Sequence, residues 1–288
     1  MESRCLLCLQ AAECGAMKQP VTEELLILTK TYPSPSAKYR ETTCVAAVSR
    51  AGELRRLFPL PYRLLDGDAR FKKWEWISAR ISPTEKDHRP ESRRIDADSI
   101  DRPGKIIQVK RGDWSDRLKW IEPHVLRSFD ALEARRQATG QTLGFIRPAR
   151  IVKLEITALR NPDWTDVDTV KLRQDGLFDS AQVKARTPLR KLPFDFHYHY
   201  ESGGKLEKHK LVDWEVGALY WNCFRDHGPK GWEAKFRQRL ESEFSSKDLL
   251  FLMGTIHRFP NQWLIVGLVY PPKQPPVRAA QLGLQLGR

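Results

Sequence analysis

The run Lys30–Arg40 (KTYPSPSAKYR) sets the hydroxyls of Thr31, Ser34 and Ser36 between the cations Lys30, Lys38 and Arg40, with Tyr32 and Tyr39 alongside. Small hydroxyls, loop amides and flanking cations are the donors that hold a phosphate. The GxxxxGK[ST] spacing of a nucleotide-binding loop is missing, so the run reads as a phosphate contact and not as an ATP site. A proline-stiffened surface loop with incidental charge would have the same composition. A second cluster lies in Phe71–Ile81 (FKKWEWISARI), whose period-two alternation predicts a half-buried strand with Lys72, Trp74, Trp76, Ser78 and Arg80 on one face. Two indoles between cations would stack splayed bases, each worth about 1–3 kcal/mol. The competing reading puts both indoles in the core, and the choice turns on whether Ile77, Ala79 and Ile81 already fill the interior.

Three further constellations follow. In Phe194–Lys210 (FDFHYHYESGGKLEKHK), alternation leaves His197 and His199 on one strand face, and His209 on the return strand could join them. Such a set would hold zinc or another divalent cation; a solvated strand face is the alternative. Asp213 reads as the N-cap of a helix that puts Cys223 and His227 four residues apart on one face, an adjacency without the oxyanion site that nucleophilic catalysis needs. The turn Ile256–Trp263 (IHRFPNQW) presents Arg258 and Asn261, donor types suited to base edges and phosphates, in a segment that is equally an ordinary hairpin turn. GxSxG, HExxH, the Rossmann glycines and the HxE…PCxxC deaminase signature are all absent.

These residues need a scaffold. Strands are predicted at 24–30, 43–49, 54–58, 71–81, 105–110, 149–159, 194–201, 205–211, 249–256 and 263–270, with helices at 114–138 (interrupted near Pro123), 214–224 and 232–244 and a long charged loop at 87–103. Strands, then helices, then strands again indicate an α+β fold. The β-rich N-terminal part could close into a small barrel or share a sheet with the final hairpin; a helical insertion and a C-terminal helix pair plus β-hairpin complete the fold. The expected divisions are a leader at 1–20, a β-rich domain at 21–112, a helical segment at 113–140, an α+β domain at 141–270 and a proline-containing tail at 271–288.

The run from Pro193 through Trp214-Glu215 to Asn222, and the ending Gly254–Pro272, resemble an uncharacterised group of bacterial proteins. In that group the 194–210 hairpin can carry a Cys/His knuckle. This chain has no cysteine between Phe194 and Asp213, so only His209 of such a knuckle would survive. The resemblance implies no activity.

The 288 residues carry 49 Lys plus Arg against 36 Asp plus Glu, a net charge of +13, and arginine is the commoner base. That surplus points to a polyanionic partner. Five cysteines, three of them within the first sixteen residues, fit a reducing, cytoplasmic setting and not a disulfide scaffold. No apolar run approaches the roughly 18–20 residues of a membrane span. The expectation is therefore a nucleic-acid-binding protein, for DNA or RNA, that needs no cofactor unless a divalent metal sits on the histidines. It would use Lys30, Ser34, Ser36, Lys38, Tyr39 and Arg40 for phosphate contact. Lys72, Trp74, Trp76 and Arg80 would stack and neutralise, and Arg258 and Asn261 would read edges. A metal-dependent nuclease using His197, His199 and His209, and an adaptor with a protein partner in a nucleoprotein complex, are the alternatives.

Overall fold

The computed structural model describes residues 19–174 and 187–273. The leader, the 175–186 stretch and the tail beyond Lys273 lie outside them. Strands β1 (Val21–Lys30), β2 (Ser34–Ser36), β3 (Arg40–Ser49), β4 (Leu54–Leu60), β5 (Trp76–Ser82) and β6 (Ser92–Ile95) form the N-terminal unit. β1 pairs with both β3 and β5, so the sheet β1-β5-β6-β4-β3 closes on itself into a five-stranded barrel. Every pair in it is antiparallel except β4 with β6, where Arg56 faces Ser92. Leu25, Ile27, Val45, Ala47, Leu57, Ile77, Ala79, Ile81 and Ile95 fill its interior.

The C-terminal unit repeats this order. Its strands are β7 (Val125–Leu126), β8 (Leu143–Ile146), β9 (Arg150–Ala158), β10 (Phe194–Ser202), β11 (Lys205–Leu211), β12 (Leu250–Ile256) and β13 (Phe259–Val269). β8 pairs with β12 and β9 with β10, yet only Arg147, Pro148 and Ala149 separate β8 from β9. They act as one first strand bent at a proline, which has no amide proton to give to a ladder. With β8 and β9 counted as one, the neighbours run first–second–third–fifth–fourth–first, and within this ring again only the third and fifth, β11 and β13, are parallel; β7 lies outside it, parallel to β8. Both units are thus five-stranded Greek-key barrels of the OB type.

Among the described residues the α-helices are α1 (Ser115–Leu118), α2 (Phe129–Thr139), α3 (Asp166–Arg173) and α4 (Trp214–Arg237). Asp213 caps α4, its Oδ1 accepting from Glu215 N at 2.8 Å. Gly228 breaks α4 at φ 68°, a left-handed value that glycine adopts without a Cβ clash, with Pro229 next. Val216, Tyr220, Trp232 and Phe236 of α4 pack against Phe196, Tyr198, Phe251 and the rest of the second barrel's core.

The barrels are pressed together. Leu26, Leu28, Ala46, Val48, Leu54 and Trp76 on the outside of the first meet Leu143, Phe145, Leu250, Leu252 and Val266 on the outside of the second. β1 and β3 are therefore buried on both faces, which is why ELLILTK is a continuous apolar run and not an alternating one.

The expected α+β class and N-terminal barrel are present, but several elements differ. The predicted 114–138 helix is the single turn α1, the short β7 and then α2. The supposed loop at 87–103 contains β6, the strand that closes the barrel; only Ser92 and Ile95 of its four residues are buried, on opposite faces, which shows no strand periodicity. The 71–81 strand begins only at Trp76, because Trp74 takes a left-handed φ of 65° that no ladder accommodates.

Candidate functional site

The expected phosphate cradle is largely spent on its own folding. Ser34 and Ser36 belong to β2, paired with Thr42 and Arg40 of β3, and Ser36 Oγ accepts from Tyr39 N at 3.3 Å. The expected unpaired loop amides are thus built into a hairpin. Lys30 does not face solvent freely: its ammonium lies 4.4 Å from the Tyr62 ring centroid, and burial draws its pKa down to about 8, opposed by Glu215. Lys38 remains exposed beside Tyr39.

The stacking assignment of Trp74 and Trp76 is wrong. They are 3% and 4% exposed. Trp76 is sealed edge-on against Trp120, with the Arg50 guanidinium 3.6 Å from its ring centroid. Ile77, Ala79 and Ile81 fill the interior, and on the opposite face Trp76 is packed into the core between the barrels, so its indole is not left for a base. Arg80 is exposed but ion-paired with Asp96 at 2.5 Å.

The histidine set also fails to assemble. His197 and His199 lie on the outer face of β10, whereas His209 points into the barrel, 9% exposed, with Nδ1 3.0 Å from Tyr200 Oη. His199 is committed to Glu155 at 2.7 Å. Among the described residues no group of three or more His, Cys, Asp or Glu side chains is placed to hold a metal ion.

On the barrel strands, Phe58 and Phe259 are the exposed aromatic rings among the described residues, one to each barrel. Ala46, Val48 and Leu54 on the outside of the first barrel's second and third strands are covered by the second barrel. The corresponding face of the second is a lattice of charge pairs: Lys208 with Glu155, Lys210 with Asp195, and Arg150 with Glu201. Open space lies instead at the seam between the barrels. One cavity of about 300 Å³ is lined by Lys72, Lys73, Trp74, Trp114, Arg117, Glu215 and Tyr270. A second, of about 260 Å³, shares Glu215, Leu268 and Tyr270 with it and continues along Asn222, Arg239 and Phe244.

Four separate stretches supply this cleft. The β4–β5 connection gives Lys72 and Lys73, the inter-barrel segment gives Trp114 and Arg117, the first turn of α4 gives Glu215, and the end of β13 gives Tyr270. Lys73 holds the join. Its Nζ donates to Glu215 Oε2 at 2.9 Å and to the Leu268 carbonyl at 2.8 Å. Burial disfavours its charge, but Glu215 and Asp213 outweigh that and leave its pKa above the ordinary lysine value. Asp213 lies beneath, taking the Leu268 amide on Oδ2 at 2.9 Å; burial pushes its pKa up to about 6 against the pull of Lys73.

Around this join, cations and rings alternate. The Arg117 guanidinium is 5.0 Å from the Trp114 ring centroid and 5.2 Å from that of Trp74. Lys73 approaches Tyr270 at 5.9 Å, and Arg239 lies 5.6 Å from Tyr270 and 5.1 Å from Phe244. Cations over ring faces hold both groups in place while leaving charge at the surface. Of the expected site residues, Lys72 and Trp74 line this cleft and Lys30 is electrostatically coupled to its charges; Arg258 and Asn261 stay exposed on the β12–β13 hairpin, beside Phe259, which is 61% exposed. Sequence reasoning missed Trp114, Arg117, Glu215, Arg239 and Tyr270. Nothing in their local pattern marks them, because they come from separate stretches: the α1 turn, the first turn of α4, the segment after α4 and the end of β13.

The architecture is thus a pair of OB-type barrels closed on one another around a cationic, aromatic seam. The chain belongs to the family described as domain of unknown function DUF8757, whose model matches residues 125–285, more than half its length. The model for domain of unknown function DUF8758 matches residues 21–123. No curated protein matches. A solved structure described as "Structure and Conformational Change of a Replication Protein A Heterotrimer Bound to ssDNA" contains a chain similar in fold at 10% identity and a TM-score of 0.36; the match covers 91% of this chain and 51% of that one. This chain therefore spans about half the length of that relative, and the likeness is too slight to bear on function. No helix among the described residues is long and apolar enough to cross a membrane.

Proposed function

We propose that the protein binds nucleic acid in single-stranded form, at the seam between its barrels. The observation that carries this reading is the grouping of Lys72 and Arg117 with the partly exposed rings of Trp114 and Tyr270 around the seam cavity, with Arg239 in the adjoining cavity that shares Glu215 and Tyr270. Rings that accept bases and cations that take the connecting phosphates are what a single strand needs, and a base already stacked inside a duplex cannot enter a recess. The net charge of +13 supports a polyanionic ligand. The barrel type supports the reading only as analogy, since one fold hosts many functions. Lys38, Arg258 and Asn261, all exposed, are proposed as outlying contacts.

The test is a salt series. Fluorescence anisotropy of a labelled single-stranded oligonucleotide is expected to give an affinity falling linearly in log–log form with added salt, with a slope of about −0.7 per phosphate neutralised. The matched duplex is expected to bind more weakly. Affinity indifferent to salt, or a duplex preferred over the single strand, would overturn the reading.

A further inference from the structure

A carboxylate in the wall of a cationic cleft needs a reason. Glu215 borders both cavities, its side chain is 50% exposed, and a phosphate would be repelled by it. Neutralising Lys73 accounts for one of its oxygens, Oε2. A carboxylate has about four lone-pair sites, so acceptor capacity remains at the cleft wall. Lys73 is complementary: two of its three protons go to Glu215 and the Leu268 carbonyl, leaving one donor. The pair therefore presents a donor beside an acceptor with room for more than one N–H, next to the partly exposed rings of Trp114 and of Tyr270, the latter stacked on Phe244.

We infer, building on the nucleic-acid reading above, that this cleft selects guanine, with Glu215 and Lys73 reading its Watson–Crick edge. Guanine alone among the common bases sets two adjacent donors, N1–H and the 2-amino group, beside an acceptor, O6. Thymine and uracil place a single N–H between two acceptors. Adenine and cytosine offer an amino group next to ring acceptors, which would face the carboxylate's lone pairs. Glu215 would take the two guanine donors and the remaining Lys73 proton would go to O6, while Trp114 and Tyr270 hold the plane of the base.

The experiment uses the full chain and fluorescein-labelled thymidine oligonucleotides carrying one central guanosine, adenosine or inosine, the last lacking the 2-amino group. On the wild-type protein the guanosine oligonucleotide is expected to bind on the order of tenfold more tightly than the adenosine one, the scale of a good two-bond edge contact. Inosine is expected to lose most of that gain. Glu215→Gln is expected to bring all three oligonucleotides to equal affinity, with circular dichroism reporting its fold. The inosine comparison needs no variant, so it holds even if the substituted protein fails to fold. Equal, salt-sensitive binding of guanosine and adenosine oligonucleotides by the wild type, or a preference that survives loss of the 2-amino group or of the Glu215 charge, would overturn the guanine assignment while leaving nucleic-acid binding in place. Absence of binding to every oligonucleotide would overturn the underlying reading itself.

Discussion

Arg56→Ala is the sharpest test of how the two barrels meet. Arg56 belongs to the first barrel's third strand and is 3% exposed, and Glu91 is equally buried. Its Nη2 donates to Glu91 Oε1 at 3.3 Å and crosses the seam to the Thr142 carbonyl at 3.1 Å. Glu91 also crosses, taking the Thr142 amide at 3.2 Å and the Thr142 hydroxyl. Even Gly254 is part of this fit: a Cβ there would come within 3.3 Å of the guanidinium. Removing Arg56 leaves a carboxylate stranded in a dry interface, a change that typically costs about 3–5 kcal/mol. Urea unfolding followed by tryptophan fluorescence measures it, since Trp74 and Trp76 lie in the same interface. The paired substitution Arg56→Met with Glu91→Gln is expected to recover most of the loss, because the stranded charge goes too. A single-substitution cost below about 1 kcal/mol, the range of exposed ion pairs, would mean that the interface is wet and the barrels are not closed on one another.

Other outcomes follow from the same geometry. Trp114→Ala is expected to weaken single-strand binding about 5- to 150-fold, the equivalent of about 1–3 kcal/mol for one lost stack, while Arg80→Ala, whose partner is Asp96, changes it less than about twofold; anisotropy decides. Burial holds the His209 pKa down at about 4, against an ordinary value near 6.5, so the unfolded chain binds the extra proton. Its contribution is therefore complete above pH about 6.5 and is lost as pH falls toward about 4, by about 3 kcal/mol in all. The difference between wild type and His209→Gln in urea unfolding across that window should show this slope, and parallel curves would refute it. Gly217→Ala is expected to cost about 1–3 kcal/mol through overpacking, because a Cβ there would meet the Tyr32 ring at 2.3 Å; thermal unfolding unchanged from wild type would contradict that packing.

The sequence is informative wherever one pattern governs one element. The Gly203-Gly204 hairpin, the Asp213 cap and the mixed α+β class are all legible, since each rests on local backbone chemistry or on alternation within a few residues. The second barrel is hidden because its first strand is split at Pro148, so that no single run of residues shows the strand whose two halves pair on opposite sides. Trp74 and Trp76 mislead for a related reason. A strand flanked by cations looks half-solvated, yet its outer face is covered by a barrel more than sixty residues further along the chain. The seam cleft is invisible to any window: Lys73, Trp114, Glu215 and Tyr270 become neighbours only once both barrels have closed. What the composition conveys is coarser, a surplus of cations near rings, and the structure realises that pairing mostly with residues other than the expected ones.

The most direct measurement of the central claim is a photocrosslink map. A single-stranded oligonucleotide carrying photoreactive thymidine analogues is irradiated with the full chain, and the attached peptides are identified by mass spectrometry. Crosslinks are expected on peptides containing Trp114 and Tyr270, and to disappear when unlabelled single strand competes. Crosslinks confined to the outer face of β10 and β11, or to the 257–262 turn, would contradict a ligand held at the seam.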